Sequence, residues 1–223
     1  MAPATRATTG TRTVDRALEL LAEVCTQESV TLSEAARRTQ LPVSTALRLL
    51  RTLEASGFVT RDVAGGFGAG PRLIQLGAYS LGRHSLLRLA QPAMRRIGER
   101  TGESVYLAIE APGNSAIYIG MVEGTHAVRH VSWVGRTVPL AGLAIGRALS
   151  GDETADGYVA ERDRLEPDVT AVAAPIRWAG GIAGALNLLG PTYRIDDEAM
   201  HAYGRIVASE AQATTISCST RAS

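Results

Sequence analysis

Lysine is absent from this chain of 223 residues; all 23 basic side chains are arginine. Such a bias can follow from the base composition of a source genome, and it carries little functional weight. Net charge is missing as well. The 23 arginines face 22 acidic side chains, so any DNA-binding charge has to be gathered on one face. Cysteine is scarce: Cys25 and Cys218 stand far apart with no metal-ligand spacing, which excludes a disulfide framework and suggests two reduced thiols. No apolar run reaches the roughly 18 residues of a membrane span. The opening MAPATRATTGTRT lacks the apolar centre of a secretory signal. A soluble, cytoplasmic protein is expected. No GxSxG, HExxH or GxxxxGK[ST] occurs, nor any nucleophile–base arrangement. Enzymatic function has no support, and neither a cofactor nor a metal is implied.

What is present centres on residues 31–61, TLSEAARRTQLPVSTALRLLRTLEASGFVTR. Thr31 and Glu34 have capping-box spacing. Leu32, Ala35 and Ala36 carry a short helix to Thr39, and Gln40-Leu41-Pro42 forms a turn with Pro42 at the first position of the next helix. There Ala46, Leu49, Leu50 and Leu53 make an apolar stripe. Ser44, Arg48 and Arg51 fall at i, i+4 and i+7 on another face, with Thr45 beside them. Gly57 suits the position past the helix end. A short helix beneath one that shows hydroxyls and arginines is what a major-groove reader requires. Arginine would meet phosphate or guanine edges, and the hydroxyls would read bases or fix register. A solvated helix face is the plainer alternative; four such residues on one helix favour DNA.

Residues 1–12 read as a disordered arm, with Arg6 and Arg12 as alternative phosphate contacts. Residues 14–24 form a helix with Val14, Ala17, Leu18, Leu21 and Val24 on one side. Strands at 58–62 and 67–70 around a glycine-rich turn complete a winged helix-turn-helix domain over 13–70, with Arg61 at the wing base as a phosphate contact. A connector helix follows at 71–82, within a linker spanning 71–85. Its apolar Leu73, Leu76 and Leu81 have little to pack on, which suggests pairing with a second subunit. A helix at 86–101 is expected to be bent or interrupted at Pro92.

The period then changes to two. Strands are expected at 104–110, 115–123, 128–134, 138–140, 169–176 and 182–189, with a short helix at 142–149. Residues 151–167 read as irregular with a helical turn near 158–162, and an amphipathic helix ends near residue 217, before a tail at 218–223. This is an α+β domain over 86–217 with a largely antiparallel sheet. In PLAGLAIGR, residues 139–147, a glycine loop leads into a helix start, a seat for carboxylate or phosphate; a small-residue packing helix is the simpler alternative. His126 and His130 lie in a β-patterned stretch and read as surface residues rather than metal ligands. Asn187, inside GALNLLG, faces either solvent or a pocket. Trp133 and Trp178 read as packing residues.

The ordered run LSEAARRTQLPVSTALRLLRTLEASGFV, GPRLIQLG, TGESVYLAI, VPLAGLAIGRAL and VAAPIR…GALNLLGP resembles the IclR family of bacterial transcription regulators over residues 14–213. The resemblance implies a winged helix, a linker helix used in dimerisation and a GAF-like domain that binds a small organic acid or aromatic. It implies homodimers or homotetramers on double-stranded DNA operators, with repression more expected than activation. Carried over by position, effector contacts fall at Leu143, Ala144, Ile145 and Gly146, at Glu161 and Asp163, at Ala171, and at Asn187 and Leu189. Several members have Cys or Ser where this chain has Ala171 and Leu189, so a less polar pocket is expected. The wing, GGFGAG, is plain, and Val43 replaces a frequent basic residue, shifting DNA reading onto Ser44, Thr45 and Arg48. The stretch between Leu149 and Asp168 is short for the family, which leaves the pocket open or closed by a partner. Two other classes remain: an architectural DNA-binding protein whose C-terminal domain only oligomerises, and, remotely, a small-molecule enzyme.

Overall fold

The computed structural model describes residues 11–129, 132–178 and 181–220, without the side chains of 215–220. The expected arm over residues 1–10 with Arg6, the residue His130, the side chain of Cys218 and the tail over 221–223 lie outside the described residues. Contacts divide the chain into two compact units, Met1–Arg83 and His84–Ser223.

The first unit contains helices α1 (Arg12–Cys25), α2 (Leu32–Arg38) and α3 (Val43–Ala55), strands β1 (Val59–Arg61) and β2 (Phe67–Ala69), and helix α4 (Pro71–Arg83). Arg12, expected in the arm, is instead the first residue of α1. The capping box forms as its spacing predicts. Glu34 N–H donates to Thr31 Oγ1 at 3.3 Å, and Thr31 N–H donates to Glu34 Oε2 at 3.2 Å. Gln40 takes the left-handed conformation that turns the chain. Pro42 is the N-cap rather than the first helical residue, its carbonyl accepting from Ala46 N–H at 3.0 Å. The core joins Leu20 and Val24 of α1, Ala35 and Ala36 of α2, Ala46, Leu49 and Leu50 of α3, and Val59 and Phe67 of the hairpin. The α1 stripe differs from expectation: Val14 and Leu18 are exposed, while Leu20 is fully enclosed. Residues 17, 20, 21 and 24 follow the helical period more closely than a stripe starting at Val14. No residue of α4 is buried; Ile74, Leu76, Tyr79 and Leu81 are all exposed.

The second unit runs α5 (Ser85–Thr101), β3 (Ser104–Ala111), β4 (Ser115–Val122), β5 (Thr137–Pro139), α6 (Ala144–Ser150), β6 (Val159–Arg162), β7 (Val169–Trp178), β8 (Gly181–Pro191) and α7 (Asp197–Thr220). The six strands form one antiparallel sheet in the order β5-β4-β3-β8-β7-β6. Helix α5 continues through Pro92, which lies on its exposed side, so the expected interruption does not occur. Both sheet faces are covered, because both alternating sets in β3 are apolar. Val105 and Leu107 join a core with α5 and α7, whereas Tyr106 and Ala108 join one with α6.

Two strand readings change. The described part of 128–134 is loop: Val128 and Val134 face solvent and only Trp133 turns inward, so no alternating face exists to bury. The helical turn expected near 158–162 is strand β6, whose Val159 and Glu161 pair with Ala173 and Ala171. Its period is two, since Tyr158 and Ala160 pack on the α7 side and Val159 on the α6 side. Trp178, expected to pack, is substantially exposed.

Candidate DNA-reading and effector faces

On α3 the apolar stripe points into the core, which turns the polar set outward. Ser44, Arg48 and Arg51 are exposed and Thr45 is half-buried. Among the described residues, neither the Arg48 nor the Arg51 guanidinium takes part in an ion pair, so both charges are available to a polyanion. Arg61 is held at the hairpin, where its Nε donates to Gly65 O at 3.2 Å and its guanidinium lies 5.4 Å from the Phe67 ring centre. Sequence reasoning missed Asp62. Its carboxylate accepts from Ser29 Oγ at 2.5 Å, Gly66 N–H at 2.8 Å and Ala64 N–H at 2.9 Å. The Ser29 hydroxyl, followed by these amides, holds the carboxyl below its ordinary range. Asp side chains commonly fold turns by accepting from backbone amides a few residues on, and Asp62, at the head of the Val63-Ala64-Gly65-Gly66 turn, offered that signal.

In the second unit, most residues carried over from the resemblance converge on the α6 side of the sheet. Leu143 is the N-cap of α6, and Ala144, Ile145 and Gly146 form its buried first turn. Ala171 and Leu189 are register partners on β7 and β8. Asn187 is fully enclosed and pairs in register with Tyr106 and Ala173, which decides its orientation: it faces the protein interior beneath α6. Its Nδ2 donates to the Tyr118 hydroxyl at 2.8 Å. Tyr118 packs 5.1 Å from Tyr106 and 6.2 Å from Trp133, centre to centre. Burial, first of all, drives both tyrosine hydroxyls well above their ordinary range. Neither tyrosine was singled out from sequence, because alternation placed them on a strand without saying what their face meets.

Glu161 projects from the edge strand β6 toward the start of α6, where the backbone amide of Ala144 lowers its carboxyl pKa. The amide at the start of α6, weighed from sequence as an anion seat against the simpler packing helix, thus faces a carboxylate of the chain itself. Burial raises the Glu161 carboxyl above its ordinary value, and the Ala144 amide offsets part of that rise. Gly146 has a packing reason: a Cβ there would sit 1.8 Å from the Leu140 carbonyl oxygen. Asp163 stands apart. It is exposed at a left-handed turn, where its Oδ1 accepts Asp168 N–H at 2.8 Å. On the opposite side of the sheet, Arg177, Arg205, Ser209 and Gln212 line a groove of about 720 Å³ that includes none of these residues. Among the described residues, no group of three His, Cys, Asp or Glu could hold a metal, and no helix is long and apolar enough to cross a membrane.

A helix-turn-helix with a hairpin, followed by a sheet domain covered on both faces, defines a class of two-unit regulators. The family model described as IclR helix-turn-helix domain matches residues 13–63, and that described as bacterial transcriptional regulator IclR C-terminal matches residues 78–156. The chain belongs to the IclR family, whose members are transcriptional regulators and not enzymes. It is 33% identical over 138 residues to the HTH-type transcriptional regulator KipR of Bacillus subtilis, covering 62% of this chain and 55% of that one. It is 34% identical over 153 residues to the transcriptional repressor IclR of Escherichia coli, covering 66% and 56%. The chain thus spans just over half the length of these two relatives. An IclR homologue of Microbacterium hydrocarbonoxydans, solved in complex with 4-hydroxybenzoate, superposes with a TM-score of 0.77 at 23% identity, over 95% of this chain and 100% of that one.

Proposed function

We propose that this chain is a ligand-responsive transcription factor that binds a double-stranded DNA operator through α3 and senses a small molecule on the α6 face of its second unit. The observation that carries the reading is the outer face of α3, where Arg48 and Arg51 are exposed beside Ser44 and Thr45 and form no ion pair among the described residues. Arg61 adds a phosphate contact at the hairpin. Because the wing turn is closed on an acid, Asp62, most of the reading falls to α3.

The α6 face is the effector site of a GAF-like domain, with a small organic acid or an aromatic as the expected classes. The 4-hydroxybenzoate held by the Microbacterium homologue is an instance of the aromatic class. The exposed apolar residues of α4 pair with a second copy, giving a cytoplasmic homodimer or homotetramer whose α3 helices meet half-sites one helical turn or more apart. Repression is the favoured sign, as it is for the Escherichia coli relative. An effector can release DNA only if it binds one arrangement of the protein better than the other. Selection of bound fragments from genomic DNA by the full chain tests this reading. It should return a small set of sites sharing a pseudo-palindrome, whereas uniform recovery would indicate non-specific binding.

A further inference from the structure

The head of α3 differs from the heads of the two helices before it. Helix α1 carries Asp15 in its first turn, and α2 carries Glu34, whose carboxylate completes its capping box. The helix dipole favours an acid at such a place. Helix α3 has no acid in its first turn and no side-chain cap on its free amides. Its first residue is Val43, a β-branched side chain left 52% exposed. Neither capping nor burial accounts for a valine there. The same turn begins the outward face of α3: Ser44 adjoins Val43, and Arg48 lies one turn beyond Ser44. Leu47, one turn beyond Val43, is half-buried, so an apolar strip flanks the polar set.

We infer that Val43 is a specificity-determining residue whose γ-methyl groups pack on the 5-methyl group of a thymine in each half-site. This rests on α3 being the DNA-reading helix, and it adds a base identity that the polar residues do not supply. The N-terminal residues of a recognition helix are the ones that reach base edges. Base edges in the major groove show donors, acceptors and one apolar group, the thymine methyl. Val43 has no side-chain donor or acceptor, so the thymine methyl is the group it can read. A basic residue at this position would meet phosphate on any sequence. Valine adds nothing of that kind and contributes only where a methyl group faces it. The acid-free first turn suits the same approach, since a carboxylate there would oppose the DNA backbone.

The test uses the full chain and an operator selected from genomic DNA. Each thymine is replaced singly by deoxyuridine, which removes the 5-methyl group and keeps every hydrogen-bonding group. Affinity is measured at fixed salt for wild type, Val43→Ser, Val43→Thr and Arg48→Ala, with thermal melts of all four. One thymine per half-site should be sensitive in wild type. Loss of its methyl should weaken binding about fourfold, the worth of one buried methyl-sized group. Val43→Ser should bind the thymine and uracil operators alike. Val43→Thr, which keeps one methyl in place, should restore part of the preference. Because Val43 is exposed, its variants should melt as wild type does. Indifference of wild type to every uracil, or an equal uracil effect in Val43→Ser, would overturn the inference; loss of binding in Arg48→Ala would still keep α3 as the reading helix. Operator affinity unchanged in both Arg48→Ala and Val43→Ser would remove that reading and this inference together.

Discussion

Glu161 links stability to acidity with a definite sign. Its carboxyl is raised in the folded state by burial, so folding favours the protonated form. The resulting deficit is absent at pH below the ordinary carboxylate range, where both states are protonated. It grows as pH rises through the folded value. Glu161→Gln should therefore raise the melting temperature at neutral pH and leave it unchanged in acid, as read by thermal melts across that range. Glu103 relies on an ion-pair partner. It is fully buried and bound through both oxygens to Arg194 at 2.7 and 2.9 Å, with Arg194 also reaching Val128 O. Arg194→Met would leave that charge facing only His126, whose Nε2 lies 3.8 Å away, and should cost about 3–5 kcal/mol in denaturant unfolding, the scale for breaking a buried pair. At this scale the sequence was only partly legible. Ser44, Arg48 and Arg51 followed from helical spacing, whereas Asn187 could not be oriented until its strand neighbours were known. The role of Glu161 depends on a contact with Ala144, seventeen residues away along the chain.

Elements were legible where periodicity and capping agreed. The Thr31 box, the α3 stripe and the glycine past its end fixed the helix-turn-helix from local chemistry alone. Failures came where pairing rather than local preference decides structure. The described residues of 128–134 form no strand despite the segment's apolar character, and β6 exists because β7 offers it an edge. In α6 a close approach governs: the Leu140 carbonyl occupies the space a Cβ at Gly146 would need. Gly146→Ala gains helix propensity yet must displace backbone. It should destabilise the second unit by about 1–3 kcal/mol, the usual range for overpacking, with the first unit melting as before.

For the whole molecule, the apolar side chains on α4 and the availability of α3 belong to one account. A helix with no buried residue and exposed Ile74, Leu76, Tyr79 and Leu81 is costly to leave in water. Replacing Ile74 and Tyr79 together by Glu should shift the protein to monomer in sedimentation velocity and weaken operator binding, because two linked half-sites become one. A monomeric wild type would contradict the pairing role of α4 while leaving α3 as a DNA reader. The most direct measurement is titration of an operator, selected from genomic DNA, with wild type and Arg48→Ala at fixed salt, alongside thermal melts of both. Loss of a phosphate or guanine contact predicts weakening by about 1–3 kcal/mol per site with an unchanged melt. Equal operator affinity in the two proteins would contradict the assignment of α3 as the DNA-reading helix.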